Sequence, residues 1–137
     1  MSLEKILSIS GKPGLYQIVT QTRTGAVVES LLDKKRITVG AHSNISILSE
    51  IAIYTLTEEV PLPDVLRSIR TKENNNPTSI SHKDSKDTLE EYFFEVLPEY
   101  DEDRVYASDI KKVVQWYNIL QKNDLLHTLD VVSEEEE

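Results

Sequence analysis

The chain changes its pattern near the middle. Residues 14–56 run in short β-branched stretches punctuated by glycine, whereas residues 86–127 repeat apolar residues at helical spacing. Between them lies a polar stretch, Lys72-Glu-Asn-Asn-Asn-Pro-Thr-Ser-Ile-Ser-His-Lys-Asp-Ser85, in which Ile80 is the one large apolar residue. A hydrophobic period of two argues for strands and one near 3.6 for helices, so the expected fold class is α+β. Its expected form is a small antiparallel β-sheet or SH3-like barrel with a short helix, followed by an antiparallel helical hairpin. The divisions expected are a β-rich unit over 1–71 closed by the short helix, a polar linker over 72–85, a helical hairpin over 86–127 and an acidic disordered tail over 128–137.

Leu3–Ser10 fits one helical turn or a lead-in strand. Gly11-Lys-Pro-Gly14 reads as a turn, because Pro13 fixes φ and the glycines permit conformations other residues avoid. Leu15–Gln21 and Ala26–Leu32 read as strands joined through Thr22-Arg-Thr-Gly25, a spacing that suits a hairpin. Both carry apolar residues on each face, which calls for cover by another element or for barrel closure. Arg36–Val39 alternates, placing Ile37 and Val39 on a buried face. Ser43 or Asn44 is positioned to cap a helical turn over Ile45–Ser49, and Ile51–Leu56 reads as a fourth strand. Pro63 suits the first turn of a helix that carries Val65, Leu66 and Ile69 on one side.

In the second half, Thr88 and Glu91 have capping-box spacing ahead of the stripe Leu89, Tyr92, Phe93, Val96 and Leu97, which Pro98 ends. Ser108 is placed to cap a second helix with the stripe Ile110, Val113, Val114, Tyr117 and Leu120.

Composition narrows the possible chemistry. The chain has 137 residues, 39% of them apolar, enough for one ordinary domain or two very small ones. A unit of ~70 residues has a marginal core alone, so the halves are expected to pack together. There are no cysteines, which removes disulfides, thiolate chemistry and cysteine-ligated zinc. No apolar run approaches the ~20 residues that cross a bilayer. Glu4 and Lys5 do not fit a signal peptide, so a cytoplasmic location without membrane contact is expected. Residues 1–85 hold ten Lys/Arg against nine Asp/Glu, while residues 86–137 hold five against fifteen, four of them Glu134–Glu137. An acidic helical half is a poor ligand for phosphate backbones, which need clustered cations.

Local motifs fail on inspection. Gly11-Lys12 lacks the upstream glycine of a phosphate loop and has Pro13 where Ser or Thr belongs. An EF-hand begun at Asp101 would place Val105, Tyr106 and Lys112 at positions that need an oxygen ligand, a glycine and a glutamate. His42, His82 and His127 do not have metal-pair spacing. The neighbours Glu58-Glu59 and Glu90-Glu91 point different ways and read as surface carboxylates. The sequence therefore identifies no catalytic, cofactor-binding or metal residue, and neither an enzyme nor a cofactor is expected.

Two constellations remain. Lys34-Lys35-Arg36 is the one cationic cluster. It supports an alternative reading as a small nucleic-acid-associated barrel, although only Tyr16 and Tyr54 of the nine aromatics fall in the first 85 residues. Base stacking on a sheet needs more, and nucleic acid is not the favoured partner. The stronger clue is a second apolar set, Phe94, Trp116 and Ile119, off the main helical stripes. Such residues need a cover, either the chain's own β unit or a partner. The favoured reading is a non-enzymatic protein–protein interaction module whose partner is another protein or a second copy of the chain.

The string Ile6-Leu-Ser-Ile-Ser-Gly-Lys-Pro-Gly-Leu-Tyr16, with Val28-Glu-Ser-Leu31, Ile51-Ala-Ile-Tyr-Thr55 and Val60-Pro-Leu62, resembles a Bacteroidetes family over residues 3–127. That family pairs an N-terminal domain of unknown function with a separate C-terminal helical domain. The resemblance implies a two-part chain and supplies no activity, ligand or catalytic residue.

Overall fold

Among the described residues, seven strands and three α-helices follow one another as β1 (Ile6–Ile9), β2 (Tyr16–Thr22), β3 (Gly25–Ser30), β4 (Arg36–Gly40), β5 (Ile45–Ile47), β6 (Ala52–Tyr54), β7 (Glu59–Pro61), α1 (Leu62–Glu73), α2 (Lys86–Val96) and α3 (Ala107–Lys122). The computed structural model describes residues 5–9, 14–40 and 44–129. The expected turn at Gly11–Pro13, residues His42 and Ser43, the His127 side chain and the tail beyond Leu129 lie outside that description.

The first five strands make one antiparallel sheet in the order β4-β3-β2-β1-β5. Thr22 pairs with Gly25 across a two-residue turn, the hairpin the sequence implies. Glycine is required there because a Cβ on Gly25 would lie 1.8 Å from the Val39 carbonyl oxygen. The apolar residues on both faces of β2 have a local cause. Ile18 pairs with Val28 but Thr20 pairs with Val27, so Val19 is a bulge that turns outward.

Two expectations are corrected. Ile45–Ser49 is not a capped helical turn: Ile45 and Ile47 pair with Ile9 and Leu7 as an edge strand, followed by a single 3-10 turn over Leu48–Glu50. Cross-strand contacts with Leu7 and Ile9 suit β-branched isoleucine better than a helical turn does. The strand expected over Ile51–Leu56 forms only over Ala52–Tyr54, and it leaves the main sheet to pair with β7.

One face of the main sheet gathers Leu7, Ile9, Tyr16, Val28 and Val39, with Ile18 and Ile37 against them. The other core is shared. Ile6, Leu15, Leu31 and Leu48 from the strand half join Leu62, Leu66, Phe93, Tyr117 and Leu120 from the helices in a single cluster. Phe93 meets Tyr100 edge to face, with ring centroids 5.0 Å apart.

Helix boundaries follow backbone chemistry. Pro63 sits in the first turn of α1, and Asn74 closes it in the left-handed conformation that asparagine tolerates. α2 starts three residues earlier than the Thr88–Glu91 spacing implies, because Ser85 is the cap and its Oγ accepts from the Thr88 N–H. Tyr106, not Ser108, precedes α3, and its N–H donates to Asp109 Oδ2 at 3.0 Å.

The polar segment after α1 is tied to the helices. Tyr117 OH donates to Asn76 O at 2.8 Å, and Asn118 both accepts from the Thr78 N–H and donates to Thr78 Oγ1, each at 2.9 Å. Glu73 accepts from Tyr92 OH at 2.6 Å and from the Ser79 N–H at 2.9 Å. At the far end of α3, Asn123 Nδ2 donates to Leu31 O at 3.2 Å, joining that helix to the strand half.

These bonds generate a pH prediction. Burial first, then the Glu73 hydrogen bond, raise the Tyr92 phenol above its ordinary value, and burial likewise raises Tyr100 and Tyr117. Above pH ~10 the unfolded chain releases these protons while the folded chain keeps them, so stability is full below that range and falls as pH rises. Tyr92→Phe is expected to cost about 1–2 kcal/mol at neutral pH and to make the alkaline loss shallower. Urea unfolding at neutral and alkaline pH checks this; an unchanged alkaline slope would exclude Tyr92 as a source.

Candidate functional site

The backbone of β6 carries an exposed edge beside an apolar groove. Ile51 O accepts from the Leu62 N–H at 2.8 Å, and the Thr55 N–H donates to Glu58 O at 2.8 Å, so Ile51, Ile53 and Thr55 face β7. Antiparallel ladders alternate, and the N–H and C=O groups of Ala52 and Tyr54 therefore point the other way. Pro61, which has no N–H, stands opposite Ala52, where no ladder bond is needed.

Only part of that edge has a partner. Leu56 N–H donates to Glu99 O and Asp101 N–H donates to Tyr54 O, both at 2.9 Å, around a bridge between Thr55 and Tyr100. Asp101 then turns the chain away. Its carbonyl accepts from the N–H groups of Arg104 and Val105, and its carboxylate accepts from the Asp103 N–H at 3.0 Å and pairs with Arg104 at 3.3 Å. The acidic stretch 101–103 is thus a turn that ends strand pairing. Beyond it, the N–H and C=O of Ala52 and the N–H of Tyr54 have no hydrogen-bond partner among the described residues.

The groove beneath this edge has a volume of about 210 Å³ and runs between β6 and the first half of α3, with Ile53, Val105, Val113 and Trp116 as its apolar lining. Arg104 lies 5.2 Å over the Tyr54 ring, and Lys112 stands on the α3 wall. Tyr54 is 41% exposed and Leu56 is 74% exposed, the latter the most exposed large apolar residue described. A groove of this size falls below the ~300–1,000 Å³ of ordinary small-molecule sites and suits one or two side chains. A free strand edge over an apolar slot is equipped to receive an extended peptide.

Two larger clefts differ in character. One, lined by Arg70, Asn74, Asn75, Gln121 and Asp124, lies between the ends of α1 and α3, where Gln121 Nε2 donates to Asn75 O and an Arg70 guanidinium N–H donates to Leu126 O. The other lies between α1 and the end of α2 at Arg67, Lys72 and Glu95, and Lys72 pairs there with Glu95 at 3.3 Å. No group of three or more His, Asp or Glu side chains suited to holding a metal ion occurs among the described residues.

The structure separates the residues that the sequence grouped. Trp116 is 8% exposed and Ile119 is 6% exposed, both inside the shared core, while Phe94 is 52% exposed on α2. The set Phe94, Trp116 and Ile119 is therefore not one surface: two members are covered within the chain, and only an edge of Trp116 reaches the groove. The basic turn is dispersed as well. Lys34 Nζ donates to Asn123 Oδ1 at 2.6 Å, and Arg36 pairs with Glu29 at 3.1 Å. Lys35 is left as an exposed cation, and Tyr16 is buried. Sequence reading missed Ala52, Tyr54 and Val105. The available signal was the period of two across Ile53-Tyr-Thr-Leu56, which sets Tyr54 and Leu56 on the face opposite Ile53 and Thr55.

Comparison with known proteins finds two family models. Domain of unknown function (DUF5606) matches residues 3–48, and Domain of unknown function (DUF6852) matches residues 51–120. No curated protein matches the chain. A solution NMR structure of a structural-genomics target from Bacteroides vulgatus is similar at 49% identity and a TM-score of 0.74, covering 90% of this chain and 88% of that one. No helix among the described residues is long and apolar enough to cross a membrane.

The burial of Trp116 and exposure of Phe94 separate two substitutions. Trp116→Gln is expected to lower stability by about 2–4 kcal/mol with oligomeric state unchanged, whereas Phe94→Ser should change it by under ~0.5 kcal/mol. Thermal melts with light scattering distinguish these outcomes; a folded Trp116→Gln protein that only loses association would place the residue in an interface instead.

Proposed function

The chain belongs to the Bacteroidetes family defined by these two domains of unknown function, and from its geometry we propose a non-enzymatic protein-interaction module that adds an extended segment of a partner to the β6 edge. The observation that carries this reading is the set of unpaired backbone groups, the N–H and C=O of Ala52 and the N–H of Tyr54, above the slot lined by Val105, Val113 and Trp116. Backbone bonds to the edge supply affinity, and the slot selects a side chain. In this reading, α2 and α3 form a helical hairpin that holds the slot against β6. The main sheet, with five buried apolar residues on its own inner face, serves as a small SH3-like barrel buttressing that hairpin. The basic turn is less suited to nucleic acid, since Lys34 and Arg36 are partnered and Tyr54 lies under Arg104.

The test uses the edge itself. Ala52→Pro removes only an outward-facing donor, and Ile51, at φ −81° and ψ 141°, already has the extended conformation a following proline requires. Peptides selected on the full chain from a random library are expected to shift the backbone amides of Ala52 and Tyr54 in NMR spectra and to lose binding to the Ala52→Pro protein. Selection of no peptide, or shifts confined to another face, would overturn the reading.

A further inference from the structure

We propose that the segment received at β6 is cationic: an extended, proline-free stretch of another protein with one aliphatic side chain in the slot and Lys or Arg beside it. This rests on the edge reading above and adds the partner's chemistry. At the Tyr54 end of the free edge the chain exposes five carboxylates: Glu58 in the β6–β7 turn, Glu59 opposite Tyr54 on β7, Glu99 beside Leu56, and Glu102 and Asp103 in the turn after Asp101. Of the cations nearby, Arg104 is committed to Asp101 at 3.3 Å and stacked on Tyr54, and Lys112 on the α3 wall is outnumbered by these carboxylates. An incoming strand therefore meets a negative field where it passes Tyr54, while its inward position meets Ile53, Val105 and Trp116. Opposite charges across such a contact raise the association rate and reject like-charged competitors. A second copy of this chain would bring the same carboxylates with it, and like charges brought together repel.

The experiment uses the full chain and three fluorescent peptides of equal length in which valine alternates with lysine, serine or glutamate. Polarisation is measured from about 0.05 to 0.5 M salt, a range over which surface charge is progressively screened. The lysine peptide is expected to bind about tenfold more tightly than the serine peptide at low salt, and the advantage should shrink as salt rises. The glutamate peptide should be weakest, and the order should invert on a Glu58→Lys, Glu59→Lys, Glu102→Lys protein. Binding should be lost on Ala52→Pro; should that protein fail to fold, the lysine peptide with alternate backbone amides methylated tests the same ladder on the unmodified chain. Equal, edge-dependent binding of the lysine and serine peptides would overturn the charge inference and leave the edge reading standing. Binding that survives both the proline and the methylated peptide, or absence of binding by all three, would overturn both. A dimer seen by light scattering and abolished by Ala52→Pro would overturn the cationic partner in favour of a second copy.

Discussion

The burial of α3 is the constraint on which the rest of the structure depends. From Val113 through Gln121 no residue of this helix is exposed. Over this stretch apolar side chains occupy most of the circumference, so the helix must be covered on most sides, with Lys111, Lys112 and Lys122 left at the surface. The cover is assembled from several sources: the α2 stripe of Leu89, Tyr92 and Phe93, the α1 stripe of Leu62, Leu66 and Ile69, and the rim residues Leu15, Leu31 and Leu48 of the strand half. Neither half closes this shared core alone. The polar side chains of α3 are placed to serve this arrangement, since Asn118 holds the segment after α1 and Asn123 holds Leu31.

The proposed site is a by-product of that cover at its thinnest point. Where α3 meets β6, the strand spans three residues, and its companion segment turns away at Asp101 after one bridge. A slot and an unpaired edge remain between elements that are otherwise held firmly, with Tyr100 bridging Thr55 on one side and packing on Phe93 on the other. A peptide site needs such a surface, because a rigid edge contributes backbone bonds without being ordered on binding. Thr55 adds to the rigidity: its Oγ1 accepts from Glu58 N–H and donates to Glu58 O, pinning the turn that carries two of the carboxylates.

The sequence determined the elements whose signals are local, and the tertiary structure decided those whose partners are distant. Helices α1, α2 and α3 were legible because apolar spacing, Pro63 and Pro98 act within a few turns. The β2–β3 hairpin and the alternation in β4 were legible for the same reason. β5 was misread as a helical turn because only pairing with Leu7 and Ile9 makes Ile45–Ile47 a strand. The need of Trp116 and Ile119 for cover was also in the sequence, but which surface supplies it depends on how the halves dock. The edge at Ala52 and Tyr54 could not be read in advance, because one wall of its slot comes from β6 and the other from Val105, Val113 and Trp116. A residue's periodicity states that a face must be buried; only the closure of long loops states against what.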